Sequence, residues 1–316
     1  MKKIKKLDFS AASDNMLLRR LTLYNITNVL SVIFKLMLMI GLSFIILFPF
    51  LVKISSAFMS IEDTYDTTVA FIPRHPTLEN IRYIVTSQQL EFFKATFNTV
   101  LMALMVGVCS AVMAALVGYG LAKFNFKGSK VLTLIVIITL LVPPQTIIIP
   151  MYTKFKYFLG GLVSLLNTPL PMFFLAITGL GFRSGLYIMM MRQVFKGIPT
   201  ELSEAAAVDG VGAFKTFWYI MLPNAKAMLL TVFLFAFSWQ WTDMYYTGLF
   251  YSKLKLLPYI VTILQSLNIT DLGTGVYTRD ILVNTLVILA IFPLLILFFF
   301  VQKKFVQGIE SSGITG

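Results

Sequence analysis

Charge is scarce in this sequence: Asp, Glu, Lys and Arg make up 13% of it, about half the share of a soluble globular domain. Acids are the scarcer sign, 14 against 26 bases. There is one cysteine, Cys109, and one histidine, His75. A lone cysteine excludes an intrachain disulfide framework, and its apolar surroundings make Cys109 a small packing residue. His75 lies in a polar connector with no Cys or carboxylate at ligand spacing, so no metal centre is expected. No G-x-x-x-x-G-K-[ST] phosphate loop occurs, and the chain is not expected to bind ATP on its own. The net charge of +12 does not indicate nucleic acid, because the bases flank apolar runs instead of gathering on one face.

Apolar residues, by contrast, make up 58% of the chain, with 29 Phe and a mean hydropathy of +0.83. Such a chain needs lipid as its solvent, and a spanning helix needs about 20 mostly apolar residues. Six stretches qualify: 36–52, 95–122, 131–152, 170–191, 228–250 and 281–301. The expected fold is therefore all-α and polytopic, with about six transmembrane helices. The first stretch is not expected to be a cleaved signal, since a long polar and basic segment precedes it and no small-residue cleavage site follows. The run 16–32 carries Arg19, Arg20, Asn25 and Asn28 and reads as an interfacial helix. With the N-terminus inside, 16 of the 26 bases fall in inner segments, 9 in outer ones, and Arg183 within a span. Both termini are accordingly assigned to the cytoplasm. The organisation expected is a basic extension over 1–33, a membrane domain over 34–308 and a tail over 309–316.

One inner connector, 196–223, has a distinctive composition. Pro199 suits a helix start, Glu201 and Glu204 suit the positive end of the helix dipole, Ala205 to Ala207 are strong helix formers with little bulk, and Gly210 can take the left-handed conformation that ends a helix. A second short helix is expected from Val211 to Leu222, stopped by Pro223. Small side chains beside two glutamates make a surface suited to docking. The same residues also fit an ordinary connector lying on the membrane.

Glu204-Ala205-Ala206-Ala207-Val208-Asp209-Gly210 followed by Leu222-Pro223 resembles the E-A-A-x-x-x-G loop of binding-protein-dependent ABC importer permeases. Asn98-Thr99-Val100, Gly118-Tyr119-Gly120-Leu121-Ala122-Lys123-Phe124, Val142-Pro143-Pro144-Gln145, Trp241-Thr242-Asp243 and the C-terminal run from Gln302 to Gly316 are similar to the maltose and oligosaccharide type, in particular its second, six-span permease subunit. The family's W-N-D/E is Trp241-Thr242-Asp243 here, and Thr315 replaces its usual basic residue. The resemblance implies an importer-permease fold. It further implies a second permease subunit, a cytoplasmic ATPase dimer that holds ATP and Mg²⁺, an extracellular binding protein, and no cofactor on this chain. It places Glu204, Ala205, Ala206, Asp209 and Gly210, with Glu201 beside them, at the ATPase contact.

Within the spans, adjacent Pro143 and Pro144 must break the helical ladder, and irregular backbone at membrane depth belongs against protein or a watery path. That makes Gln145 a candidate pathway residue. Arg183 follows a glycine-rich stretch, and a charge there needs a partner or water; Asp243 is one candidate partner. Trp239, Gln240, Trp241 and Asp243 offer the aromatic faces and polar groups that sugars require, although aromatics also form interfacial belts. Two rival readings are a stand-alone secondary transporter and a membrane enzyme. No convincing internal repeat supports the first, and no span histidine or paired carboxylate supports the second. Amino-acid, peptide and glycerol-phosphate importers share the same loop, which leaves the solute open.

Overall fold

The structure, a computed structural model, describes residues 9–69, 71–266 and 279–313, with side chains for 28–69, 71–266 and 279–303. The remaining positions, including most of the C-terminal signature 302–316 and the side chains of Arg19 and Arg20, lie outside the described side chains. Among the described residues the chain is helical throughout, with no β-strand. The connector after α1 (Phe9–Ala57) carries α2 (Ile61–Tyr65) and α3 (Glu79–Thr86); α4 (Phe92–Lys123), α5 (Ser129–Leu141), α6 (Ile148–Lys156), α7 (Leu170–Ile177) and α8 (Ser184–Gly197) follow. Next come α9 (Glu201–Val208), α10 (Ala213–Thr216), α11 (Leu222–Asn224), α12 (Lys226–Trp241), α13 (Tyr245–Phe250), α14 (Leu257–Ser266) and α15 (Arg279–Gly313).

Helix α1 passes through the expected start of the membrane domain near residue 33. No glycine precedes Gly41 and no proline precedes Pro49, and helix propagation is cooperative. One backbone helix therefore runs from Phe9 to Ala57, without a break between extension and span. The tail behaves likewise, since α15 continues to Gly313.

The six apolar segments divide into two kinds. Three are continuous helices long and apolar enough to cross a membrane: Asn28–Ala57, Phe92–Lys123 and Arg279–Lys303. The other three, expected as single helices, are broken. Pro143 and Pro144 end α5 and turn the chain by 98° between Ser129–Leu141 and Pro144–Lys156. The segment 170–191 parts at Thr178–Arg183, where Gly179 (φ 71°) and Arg183 (φ 62°) are left-handed. The segment 228–250 parts at Thr242–Met244.

Helix α4 is the central post. Its buried residues Ala95, Thr99, Ala103, Gly107, Ala111 and Ala115 recur every fourth position, and Val106, Ser110, Ala114 and Gly118 form a second such row. Lipid tails are as apolar as leucine, so packing between spans depends on close approach through small residues. A Cβ on Gly118 would lie 2.8 Å from both Arg192 N and Met191 Cβ, and one on Gly107 2.9 Å from the Phe233 ring. Helices α8 and α12 thus pack directly on α4. Gly185 does the same for α5, where a Cβ would meet Thr139 Oγ1 at 2.6 Å and Val136 O at 2.8 Å. Helix α5 buries none of its residues, and the most apolar stretch of α1 buries none either. Away from the contacts of α5 with α8 and of α1 with α15, most of their apolar side chains are exposed.

At the other end, α4 is fastened to the start of α14 and the residues just before it. Thr99 Oγ1 accepts the Leu257 N–H at 2.9 Å, and Asn98 donates to Lys255 O at 3.0 Å. Glu91, itself left-handed, receives Lys94 and Lys255, each at 2.8 Å. Those ammonium groups, Lys255 foremost, lower the Glu91 carboxyl from 4.5 to about 2. A depressed carboxylate stabilises the fold above its unfolded value and loses that contribution as pH falls through its folded value. The melting temperature of Glu91→Gln in detergent should therefore lie below wild type at pH 7. The gap should close between pH 4.5 and about 2. A gap that does not change with pH would remove the Glu91 clamp as its cause.

Candidate functional site

The breaks in 131–152, 170–191 and 228–250 face one another, and their ends enclose two adjoining cavities. One, of about 370 Å³, is lined by Gln145, Phe182, Tyr187, Trp239, Gln240, Asp243 and Tyr246, among others. The second, of about 910 Å³, runs along 139–155 and 175–186 and includes Lys154 and Arg183. Pro144, Gly181, Phe182 and Tyr246 border both. Gln145, Arg183, Trp239, Gln240 and Asp243, which are far apart in sequence, thus meet in one place.

Trp241 does not join them. It is 4% exposed, stacks on Phe237 and donates its indole N–H to Ala290 O at 3.0 Å. Residues 239 and 241 are two apart on a helix and so lie on different faces. Trp239 faces the cavity, whereas Trp241 packs α12 against α15. This overturns Trp241 as a pathway residue.

Asp243 borders the cavity, but its carboxylate is occupied. It accepts the N–H groups of Tyr245 (3.2 Å), Tyr246 (3.2 Å) and Thr247 (2.8 Å), and the Thr247 hydroxyl at 3.0 Å. That is the chemistry of a helix N-cap, and it starts α13 after the break. Asp243 forms no ion pair with Arg183, so the expected partnership is also corrected. The Arg183 guanidinium instead lies 3.9 Å from the centre of the Trp239 ring and 5.1 Å from that of Phe182. Gln145 and Gln240 form no side-chain hydrogen bonds among the described residues, and the buried hydroxyls of Tyr187, Tyr245 and Ser184 have no partner. Sequence reasoning missed Phe182, Tyr187 and Tyr246. Phe182 and Tyr246 each flank a helix break, which is the signal that could have found them.

The other cluster is α9. Two backbone bonds close its end, Val211 N to Ala206 O at 2.8 Å and Gly210 N to Ala207 O at 3.1 Å, around Gly210 at φ 74°. These are the paired bonds of a Schellman C-cap. Glu201, Glu204, Ala205, Asp209 and Gly210 are exposed, as is Val208 at 88%. Ala206 is not: at 4% exposure it faces this chain's own body, which removes its side chain from any outward contact. Lys123 donates to Ile198 O at 2.6 Å, and Tyr119 meets both Phe195 and Phe217, seating the loop on the end of α4. The expected second helix is present, with a π-helical segment over Phe217–Met221 and an 82° bend between Ala213–Asn224 and Lys226–Trp241.

Comparison with known proteins identifies the family and the fold. Residues 107–311 match the family described as binding-protein-dependent transport system inner membrane component. The chain belongs to that family. This permease is 29% identical over 285 residues to the arabinooligosaccharides transport system permease protein AraQ of Halalkalibacterium halodurans, covering 87% of this chain and 93% of that one. It is 27% identical over 285 residues to the maltodextrin transport system permease protein MalD of Streptococcus pneumoniae, covering 88% and 93%. Its fold is that of a chain in the crystal structure of a bacterial ABC transporter involved in the import of the acidic polysaccharide alginate, with a TM-score of 0.72 at 22% identity over 86% of this permease and 95% of that chain. The permease is thus the membrane component of an ABC importer and not an enzyme.

Proposed function

We propose that this permease carries an oligosaccharide across a bacterial cytoplasmic membrane. An extracellular binding protein delivers the sugar, and a cytoplasmic ATPase dimer drives transport through α9. The observation that carries the reading is the cavity between the broken spans, where Trp239 offers a ring face and Gln145 and Gln240 offer uncommitted amides. Sugars present C–H faces and hydroxyls, and a largely apolar pocket with a few placed polar groups suits both. The relatives named for arabinooligosaccharides and maltodextrin support the same solute class. A second permease subunit supplies the facing half of the route, and the exposed side chains of α1 and α5 leave apolar surface for it and for lipid. Both termini and α9 lie on the cytoplasmic side in this reading, which the excess of bases in the segments sharing a side with the N-terminus supports. There α9 presents Glu201, Glu204, Ala205, Asp209 and Gly210 outward. ATP-driven closure of the ATPase dimer then biases the spans between inward-open and outward-open states.

The two tryptophans test the reading. In the assembled importer in vesicles, Trp239→Ala should cut oligosaccharide uptake about tenfold or more, by loss of a stacking face. Its melting temperature in detergent should stay within a few degrees of wild type. Trp241→Ala should instead lose about 3–5 kcal/mol of stability as a core truncation, with a lower folded yield. Full uptake by Trp239→Ala would remove the cavity from the sugar route.

A further inference from the structure

The carbohydrate reading can be narrowed by charge. We infer that the sugar carried by this permease bears an anionic oxygen group, a carboxylate or a phosphate, and that Arg183 receives it. The inference rests on the oligosaccharide reading above and specifies its substrate class.

The larger cavity is lined by two cations, Arg183 and Lys154, and by no Asp or Glu. Among the described residues neither cation lies within ion-pairing distance of a carboxylate, and neither side chain donates a hydrogen bond. Stacking on Trp239 at 3.9 Å occupies a face of the guanidinium. It leaves the N–H donors, a planar fork that matches a carboxylate or phosphate, without acceptors. The adjoining cavity adds one carboxylate, Asp243, whose oxygens are already engaged by three backbone N–H groups and a hydroxyl.

Two further features point the same way. Arg183 holds a left-handed backbone at φ 62°. Such a conformation is costly for a residue with a side chain, and it clusters at ligand sites. The next residue, Ser184, lines the same cavity, is 5% exposed, and has a hydroxyl without a partner. Both cations are exposed within the cavity, and a neutral sugar brings them no countercharge. An anionic one supplies the missing acceptors to Arg183, with Lys154 adding attraction along the same cavity.

The test uses the assembled importer in membrane vesicles with its binding protein at saturation. Three probes are compared: oligogalacturonates, the same oligosaccharides after carboxyl reduction, and phosphorylated maltodextrins. Wild type should accumulate one of the anionic probes in preference to the neutral one, and which of the two it takes separates carboxylate from phosphate. Arg183→Gln should lower that uptake about tenfold without moving the melting temperature. Arg183→Lys should recover part of it, and Lys154→Gln, at an exposed position, should give a smaller loss of the same sign. Uptake confined to the neutral probe and unchanged in Arg183→Gln would overturn the anionic site and leave the carbohydrate reading standing. Uptake of no saccharide, with transport of an amino acid or peptide instead, would overturn both. An Arg183→Gln variant altered only in co-purifying anionic lipid would assign the cation to the bilayer and also overturn the inference.

Discussion

Replacing Gly210 with proline should abolish ATP-driven transport while leaving the chain in the membrane at wild-type abundance. Gly210 sits at φ 74°, and proline is locked near −65°. Its N–H also donates to Ala207 O at 3.1 Å, and proline has none to give. The turn that ends α9 must therefore be rebuilt, and Glu204, Ala205 and Asp209 change direction with it. Nothing lies within 4 Å of a Cβ at this position, so other substitutions are penalised by backbone conformation alone. Gly210→Asn should be nearly silent, because asparagine tolerates the left-handed region, and Gly210→Ala should cost about 1–2 kcal/mol at the turn. Expected uptake thus runs from near wild type for Asn, through a several-fold loss for Ala, to a loss of about 100-fold for Pro. Recovery of the ATPase with the purified permease should follow the same order. Normal ATPase recovery by Gly210→Pro would show that α9 is not the docking element.

The second large effect belongs to Gly118. Gly118→Leu should leave little folded protein, whereas Gly120→Leu, two residues along the same helix, should be tolerated. The Cβ alone at 118 would lie 2.8 Å from Arg192 N and Met191 Cβ and 3.1 Å from Ile188 O. Backbone atoms of a packed helix cannot yield locally, so α8 must move away from α4 as a body. Overpacking costs about 1–3 kcal/mol where side chains can adjust, and more is expected here. Total stabilities are only about 5–15 kcal/mol. A Cβ at Gly120 meets nothing within 4 Å. Fluorescence-detected size-exclusion of the two variants in detergent would measure the contrast, and equal profiles would mean that α4 and α8 do not pack as described.

The same pair of glycines shows how far the sequence reaches. Gly118-Tyr119-Gly120 reads as a motif, but the sequence does not say which glycine faces a neighbour. That depends on the azimuth of α4 relative to α8. The alternation of Trp239 and Trp241 posed the same difficulty. Both are aromatic, both are near Asp243, and only the packing of α15 against α12 separates a cavity wall from a core residue. Asp243 illustrates a different limit. Its charge suggested a sugar acceptor or a partner for Arg183, yet local backbone donors at 245–247 claimed it first.

What the sequence determined by itself was whatever depends on composition and on neighbours along the chain. Solvent preference follows from summed hydropathy. The break at Pro143-Pro144 follows from a missing donor and a locked φ. The left-handed end of α9 follows from a glycine placed after three alanines. These are local or additive quantities, and they were legible as such. Which breaks face one another, which side of each helix is covered, and the meeting of Gln145, Arg183, Trp239 and Gln240 around shared cavities were decided only in three dimensions. The close approach of α4, α5, α8 and α12 through small residues sets those distances, and no property of a single segment encodes them.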